Sequence, residues 1–376
     1  MPNTRRMMMA AAGAGSEDGN PAYFWGWSDK GHLGDNANTS RSSPVLVNGD
    51  HNWTWIALGG EEGHSSGITG NGLLFTWGSG GFGALGQNNT THYSVPTQVG
   101  SLTDWYRSWA GANKSSMAIK TDGTLWGWGR NASGVLGLGN TTSFSSPVQV
   151  GSLTNWESIA MGQVHTAGIT SDGKLWTWGT DTSGCLGRDD DGGNLPGQVG
   201  SATNWRNVDC GDDTTMATQD DNTLWVWGEN SNADLGIGNI TDQAAPVQMG
   251  SLTNWRQASS GNFHAVATKT DGTIWSWGLG SDGYHLGHNN TTNLSSPVQI
   301  GSLTDWLHVA VSWRNTWAIK TDGTLWAWGS NANGALGDGT TTTRSSPIQI
   351  GSDTDWLQIV AGKGDIHSAG GIRGTV

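Results

Sequence analysis

Short runs rich in apolar and β-branched residues, separated by polar turns, repeat along the whole chain. In the stretch 105–151, two such runs (116–121 and 124–129) are joined by Asp122 and Gly123. Asp-Gly between two β-prone runs favours a two-residue hairpin turn, because both turn positions take positive φ. A proline-led run, 147–150, has the character of an edge strand. We therefore predict one small antiparallel sheet of three or four strands per unit, and no helix.

Three markers recur at intervals of 49 to 52 residues, and this period indicates a propeller or a solenoid. The first marker is the Trp of an aromatic-x-Trp-Gly motif, assigned to Trp27, Trp77, Trp128, Trp178, Trp227, Trp277 and Trp328. The second is a Trp after a Gly-Ser-Leu-Thr-like stretch, at Trp53, Trp105, Trp156, Trp205, Trp255, Trp306 and Trp356. The third is a proline, at Pro44, Pro96, Pro147, Pro196, Pro246, Pro297 and Pro347. Seven units are therefore predicted.

The first and last units are each incomplete, and their missing halves fit each other. Residues 23–47 supply the second half of a unit, whereas 356–373 supply a first half. We expect these two segments to share one blade and to close a ring, since a solenoid would need polar capping repeats instead. The predicted fold class is all-β, a seven-bladed β-propeller over residues 23–376, preceded by a tail of residues 1–22. No apolar run is long enough to span a membrane.

Three local motifs carry a family resemblance. They are Gly-x-x-x-His-Ser/Thr-x-Ala, Asp-Gly-x-Leu-Trp-x-Trp-Gly and Asn-x-x-Gly-x-Leu-Gly, and residues 165–167, 172–179 and 183–187 show most of them in one unit. The sequence resembles the RCC1 (regulator of chromosome condensation) repeat family over residues 23–376, which implies a seven-bladed β-propeller. That family includes nucleotide exchange factors, chromatin binders, a plant light sensor, a secreted enzyme inhibitor and scaffolds, so the resemblance implies fold more than function.

Three of those functions are not expected here. The units differ in length by so little that no loop could form the wedge of an exchange factor. A formal net charge of −13 opposes binding to nucleic acid, which is held mainly by Lys and Arg. Residues 312–316 resemble the Trp-Arg motif of the light sensor, but the corresponding positions elsewhere are Glu62, Val164, Asp213 and Phe263. No tryptophan cluster of that kind is therefore expected.

Most tryptophans lie in register and are predicted to pack between blades, although a ring of sugar-stacking sites is an alternative. Trp55, Trp109, Trp313 and Trp317 break the register and are the candidates for exposed contacts. The histidines His64, His165, His264 and His367 share one repeat position with Ser115, Thr214 and Asn315. A metal ligand would not be exchanged for those residues, so hydrogen bonding inside a blade is expected. Thr/Asn-rich loops at 88–91, 140–142, 289–292 and 340–343 are expected on one face or rim.

The stretch 181–221 contains most of the excess negative charge. Its aspartates are Asp181, Asp189, Asp190, Asp191, Asp209, Asp212, Asp213, Asp220 and Asp221. Asp189 to Asp191 could ligate Ca²⁺ through hard oxygens or contact a basic partner, but solvated acidic loops are the favoured interpretation. Asp212, Asp213, Trp109 and Trp313 complete the candidate interaction surface. No catalytic motif is present, Cys185 and Cys210 are expected to be free thiols, and no cofactor or other metal is expected.

The tail is predicted to dock on a partner. Arg5 and Arg6 precede the apolar residues 7–14, a run too short and too Ala-rich for a typical signal peptide. Arg5, Arg6, Met7, Met8 and Met9 are the predicted docking residues. The N-terminal segment rich in Met, Ala and Gly, ahead of the RCC1-like repeats, also resembles virion proteins of marine bacteriophages.

The leading functional prediction is a non-enzymatic structural or attachment protein of a bacteriophage virion, as capsid decoration or as part of a tail or fibre. Its partners would be other structural proteins and, on the outer side, a host surface protein or glycan. The alternative is a protein-binding scaffold or inhibitor-type propeller in the bacterial cytoplasm or secreted. A glycan-binding propeller is the third hypothesis.

Overall fold

Seven four-stranded antiparallel sheets are arranged around a central axis in the computed structural model, which describes residues 19–60, 62–188, 193–280, 284–364 and 367–374. The first strands of neighbouring blades contact one another around the ring and so line the axis. The fourth strands lie at the outer rim. Three short 3₁₀ turns, at Gly81–Gly83, Thr182–Gly184 and Ala332–Gly334, are the helical elements of the described residues. The predicted all-β, seven-bladed propeller is therefore confirmed.

Each blade follows the order first, second, third and fourth strand from the axis outward. The strands of blades 1 to 4 are Trp53–Leu58, His64–Thr69, Leu74–Gly78 and Tyr93–Gln98; Trp105–Ala110, Ser115–Lys120, Leu125–Gly129 and Phe144–Gln149; Trp156–Met161, His165–Thr170, Leu175–Gly179 and Gly193–Gln198; Trp205–Cys210, Thr214–Gln219, Leu224–Gly228 and Gln243–Gln248. Those of blades 5 to 7 are Trp255–Ser260, His264–Lys269, Ile274–Gly278 and Leu294–Gln299; Trp306–Val311, Asn315–Lys320, Leu325–Gly329 and Arg344–Gln349; Trp356–Ala361, Ser368–Arg373, Ala22–Gly26 and Arg41–Leu46.

Blade 7 combines the two ends of the described chain. Ala22–Gly26 pairs with Ser368–Arg373, in a register that places Tyr23 opposite Gly371. The sheet order agrees with the predicted ring closure. The strand begins at Ala22, inside the segment predicted as tail, and the division of the chain at residue 22 stays a prediction.

The core lies between blades and is built largely from the repeated tryptophans. Trp178 is fully buried, and its indole Nε1 donates a hydrogen bond to the Val135 carbonyl of the preceding blade at 2.7 Å. The same bond joins Trp77, Trp128, Trp227, Trp277 and Trp328 to the preceding blade. Each bond satisfies the one polar atom of a large apolar ring, so the tryptophan can be buried without an unpaired donor.

The assignment of Trp27 to this position is wrong. Trp25, not Trp27, lies opposite Ala369, and Gly26 lies opposite Ser368, which matches Trp77 and Gly78 in blade 1. Trp25 is fully buried, as the other members of the series are. The 50-residue spacing pointed to Trp27, but the Trp-Gly pair, which needs the positive φ of 100° at Gly26, sets the register.

The histidines link neighbouring blades, and the predicted hydrogen bond inside a blade is wrong. His64, His165 and His264 are fully buried. Their Nε2 atoms lie 3.0, 2.8 and 3.0 Å from the hydroxyl oxygens of Ser116, Thr215 and Thr316 in the following blade. In blade 7 the equivalent position belongs to Ser368, because the register places His367 one residue before the strand.

The Thr/Asn-rich loops lie at the outer rim and also join blades. The backbone N–H of Asn88 donates to the Ser145 carbonyl at 2.7 Å, and that of Asn289 donates to the Ser345 carbonyl at 2.8 Å. In each case the acceptor belongs to the fourth strand of the following blade. These loops therefore stabilise the ring, in addition to forming solvated turns.

Four blades place a cation between two indole or phenol rings. In blade 6, the Lys320 Nζ lies 4.8 Å from the Trp306 ring centroid, 4.2 Å from that of Trp326 and 3.4 Å from an Asp305 oxygen. Lys120, Lys269 and Arg373 occupy the same position in blades 2, 5 and 7. Thr69, Thr170 and Gln219 replace them in the other blades.

The substitution Lys320→Thr, which copies blades 1 and 3, is expected to lower the free energy of unfolding by about 1 to 2 kcal/mol. It removes two cation–π contacts at a side chain that is 7% exposed. Urea unfolding would measure the loss. The control Lys174→Thr removes a surface pair with Asp172, whose side chains are more than one-third exposed, and should change stability by less than about 0.5 kcal/mol. Equal losses of stability in Lys320→Thr and Lys174→Thr would contradict a stabilising role for the cation–π contacts of Lys320.

Candidate functional site

The propeller has two faces of different character. We call the upper face the one formed by the loops between first and second strands, such as the loop carrying Asp212, and between third and fourth strands, such as the loop carrying Phe82. The lower face carries the turns between second and third strands and the connections between blades. The upper face comprises three sectors.

One sector of the upper face, in blades 1 and 2, combines an exposed ring with cations. Phe82 is 49% exposed, with φ at 57°. The Lys114 Nζ and the Arg130 guanidinium lie 5.6 and 5.2 Å from its ring centroid. Lys114 is also paired with Glu62 at 3.3 Å. This basic-aromatic sector was missed from sequence, where Phe82 stands in a glycine-rich turn without distinguishing signal.

The acidic sector lies in blade 4. Asp212 and Asp213 follow the first strand, and Glu229 and Asp234 follow the third. Burial raises the pKa of the Asp213 carboxyl, and the charge of Glu229 adds to this. Burial, reinforced by the charges of Glu229 and Asp212, raises the pKa of Asp234 to about 7, against the opposing hydrogen bond from Asn232. Carboxylates crowded in this way favour a cationic neighbour.

The aromatic sector spans blades 5 to 7. The rings of Phe263 and Trp313 lie 6.1 Å apart, and Trp313 also lies 5.2 Å from the His367 ring. The Arg314 guanidinium lies 4.3 Å from the Trp313 centroid. Among the described residues, Trp313 contacts no second tryptophan, in agreement with the departure from the light-sensor pattern.

The acidic and aromatic sectors are continuous. The Asn262 amide donates to an Asp212 carboxylate oxygen at 2.5 Å, and Asn262 directly precedes Phe263. The structure thus brings Asp212, Asp213 and Trp313, three residues selected from sequence, onto one band across blades 4 to 6. Phe263 completes the band.

The remaining aspartates of the stretch 181–221 do not form one patch. Asp181 accepts a hydrogen bond from the Leu186 N–H at 2.9 Å and holds its loop. Asp221 lies on the lower face, where its carboxylate accepts from the N–H and hydroxyl of Thr223 at 3.0 and 2.7 Å. Asp209 lies at the axis. Asp181, Asp209 and Asp221 therefore lie at separate places in the propeller, and Asp189, Asp190 and Asp191 lie outside the described residues.

Trp109 lies in the central channel, away from the upper-face band. The channel contains a cavity of about 410 Å³ with a mainly apolar lining. The Trp109 and Trp55 ring centroids are 5.9 Å apart within it. At its upper end Lys363 reaches across the axis to Asp209, with a nitrogen–oxygen distance of 2.9 Å. Trp317, another candidate, is fully buried, so its expected exposure is wrong.

Other candidate chemistry is limited in the part of the chain that the structure describes. There, no group of three or more His, Cys, Asp or Glu side chains is placed to hold a metal ion. Cys185 and Cys210 are buried free thiols whose pKa values burial raises, that of Cys185 to about 12. No described helix has the length and apolar character needed to cross a membrane. The predicted docking residues Arg5, Arg6, Met7, Met8 and Met9 lie outside the described ranges.

Comparison with known families agrees with the fold and the repeat motifs. The family model described as "RCC1-like domain" matches residues 62–369. The chain belongs to the RCC1-like domain family. This assignment covers the propeller from blade 1 into blade 7, including all three sectors of the upper face.

Among curated relatives, the Ultraviolet-B receptor UVR8 of Arabidopsis thaliana is 35% identical to this RCC1-like propeller over 153 residues, 39% of this chain and 34% of the receptor. The mitochondrial RCC1 domain-containing protein RUG3 of the same plant is 40% identical over 121 residues, 31% of this chain and 27% of RUG3. The E3 ubiquitin-protein ligase HERC2 of Homo sapiens is 30% identical over a stretch that covers 39% of this chain but only 3% of the ligase. The matches thus span at most 34% of the length of these relatives.

Solved structures show the same fold at low identity. Human WBSCR16 has a TM-score of 0.82 and 18% identity, with 95% of this chain and 99% of that chain covered. Prp20p of Saccharomyces cerevisiae also has a TM-score of 0.82 and 18% identity, with 100% and 95% covered. At this identity the likeness establishes the seven-bladed architecture alone.

Proposed function

We propose that this RCC1-like propeller is a non-enzymatic protein-binding scaffold that uses the upper-face band of blades 4 to 6. The band joins the carboxylates of Asp212 and Asp213 to the aromatic rings of Phe263 and Trp313. Aromatic groups beside polar and charged ones are typical of the energetic centres of protein interfaces. This continuity, on one open face, is the observation that carries the proposal.

The partner is expected to be a basic segment with at least one apolar side chain. Its cations would lie against the acidic sector, and its apolar group would pack on Phe263 and Trp313. The net charge of −13 would attract such a partner over longer range. Related propellers offer precedents for protein binding, since the Prp20p structure is described together with binding to Gsp1p and histones, and yeast RCC1 is known bound to Kap60.

Charge substitution on the two faces tests the proposal. The double variant Asp212→Asn, Asp213→Asn is expected to reduce recovery of the partner from native-source material at least tenfold, because it removes the carboxylates facing a cationic segment. The matched control Asp50→Asn, Asp220→Asn makes the same charge change at exposed positions away from the band. Quantitative mass spectrometry of co-purified protein measures recovery. Equal recovery with both double variants would contradict the proposal.

The bacteriophage virion function stays a second, more specific prediction. It rests on the tail residues and on the Met/Ala/Gly opening, and none of the relatives named above is a virion protein. Deleting residues 1–18, which keeps the strand Ala22–Gly26 and its backbone partners, should abolish incorporation into a particle and leave the propeller folded. Normal incorporation of the shortened protein would refute this function without affecting the upper-face proposal.

A further inference from the structure

Departures from the repeat also converge at a second place, on the lower face between blades 1 and 2. The repeat position of Trp55 is otherwise occupied by Arg107, Ser158, Asn207, Gln257, His308 and Gln358. The position of Tyr106 is otherwise occupied by Thr54, Glu157, Arg206, Arg256, Leu307 and Leu357. Trp55 and Tyr106 are the aromatic members of these two series, and both line the same pocket.

This pocket has a volume of about 520 Å³, within the range of small-ligand sites. Trp55, Tyr106 and Arg107 form one wall, and Asn71, Thr69 and Thr103 contribute polar groups. Thr69 occupies the repeat position at which blades 2, 5 and 6 have the longer side chains of Lys120, Lys269 and Lys320.

The aromatic wall is held in a fixed arrangement. The Arg107 guanidinium lies 5.2 Å from the Trp55 ring centroid and 4.5 Å from that of Tyr106. The Trp55 Nε1 donates to the Ser108 carbonyl at 2.6 Å. Tyr106 is 46% exposed, so its ring offers an apolar face to a ligand.

Arg107 carries a charge that no carboxylate neutralises among the described residues. It is 7% exposed, and its hydrogen bonds go to the Glu157 carbonyl at 3.0 Å and the Tyr106 hydroxyl at 2.8 Å. By contrast, Lys114, Lys120, Lys320 and Lys363 each have a carboxylate within 3.4 Å. A buried charge without a counter-ion is costly, and two bonds leave most of the five guanidinium N–H donors for a ligand anion.

The rest of the lining carries no charge. It includes the hydroxyl-bearing residues Thr54, Thr69, Thr103 and Thr121 together with the amide of Asn71. Ile68 and Trp105 are the apolar members of this remaining lining. Together with Arg107 and Tyr106, the lining suits a ligand with many hydroxyl groups, one carboxylate and a ring whose C–H face can lie on an aromatic side chain.

We propose that this pocket binds an acidic saccharide of the uronate class. The carboxylate would accept hydrogen bonds from Arg107, the sugar ring would lie on Tyr106, and the threonine hydroxyls and Asn71 would bond to its hydroxyls. The site is on the opposite face from the protein-binding band, and its occupancy does not depend on that proposal.

Calorimetric titration with trigalacturonate, a hyaluronan tetrasaccharide and a mannuronate trimer tests the site. Trigalacturonate methyl ester is a neutral ligand matched in shape. Arg107→Gln, which copies Gln257 and Gln358, is expected to weaken binding of the acidic probe at least tenfold and to leave the ester unchanged. Tyr106→Thr, which copies Thr54, should weaken both. Arg256→Gln, at the Tyr106 repeat position in blade 5, should change neither.

Three outcomes would overturn the proposal. They are the absence of binding for all three acidic probes at millimolar concentration, equal affinity of wild type and Arg107→Gln for the acidic probe, and equally tight binding of hexaglutamate, which would assign the pocket to acidic peptides. Thermal unfolding shows whether each variant is folded. Tyr106→Thr changes an exposed side chain, so it decides the test even where Arg107→Gln fails to fold.

Discussion

Lowering the pH from about 7.5 to about 5 is expected to cost roughly 2 kcal/mol of folding free energy for each of His32, His64 and His165. All three imidazoles are fully buried, and burial lowers their pKa values from 6.5 to about 3 for His32 and about 4 for His64 and His165. Burial also lowers the pKa of the His264 imidazole.

Stability falls at low pH because the unfolded state binds protons that the folded state does not. The unfolded chain takes up protons below pH 6.5, whereas the folded ring keeps these imidazoles neutral. Their contribution is therefore fully present above pH 6.5 and is lost as the pH falls toward the folded pKa. Because the His64 and His165 imidazoles link neighbouring blades, acid unfolding should open the ring cooperatively.

Urea unfolding at both pH values checks this. His165→Thr, which copies Thr214, should reduce the difference in unfolding free energy between the two pH values by about 2 kcal/mol. Ser115→Thr changes the same repeat position without a titrating group, and it should leave that difference unchanged. An unaltered difference in His165→Thr would show that its imidazole already carries a proton in the folded state.

Asp234→Ala is expected to stabilise the protein by about 2 to 4 kcal/mol at a pH of about 8. Asp234 is 3% exposed and its Oδ1 has no hydrogen-bond partner in the described structure. Burial raises its pKa from 3.8 to about 7, so the folded state holds a proton that the unfolded state releases. Stability is therefore lost as the pH rises from 3.8 through 7. Ala84 and Ala335 occupy the same position in blades 1 and 6, so alanine fits.

The gain should shrink below a pH of about 4, where the carboxyl is protonated in both states. Thermal or urea unfolding of wild type and Asp234→Ala at the two pH values measures it. Asp220→Ala, at an exposed site, should change stability by less than about 0.5 kcal/mol. A loss of stability in Asp234→Ala at high pH would mean that the carboxylate is compensated in the folded state.

Much of the fold could be predicted because the same local sequence signals recur in seven units. Asp122 and Gly123 specify a hairpin turn, and the buried Trp178 specifies a contact between blades. The errors arose where spacing and register disagree. Trp27 fits the 50-residue period, but Trp25 precedes the glycine that the strand end requires. His367 aligns with other histidines, but Ser368 takes their place in the sheet.

The candidate sites were harder to predict because they depend on which loops share a face. Asp212 and Asp221 are nine residues apart, yet they lie on opposite faces, since a single strand and its turn separate them. Phe263 and Trp313 belong to neighbouring blades, and their rings come into contact only in the folded ring. Tyr106 carries a usable signal, because it is the aromatic member of its repeat series, and comparison of aligned units could have selected it.

Site-specific photo-crosslinking in the native host tests whether the upper face of this RCC1-like propeller is its protein-binding surface. A photoreactive phenylalanine analogue would replace Trp313 on the upper face or Leu252, which is 45% exposed on the lower face. We expect a discrete protein adduct from position 313, which the double variant Asp212→Asn, Asp213→Asn should abolish, and no adduct from position 252. Adducts of the same mass and yield from both positions, or from position 252 alone, would contradict it.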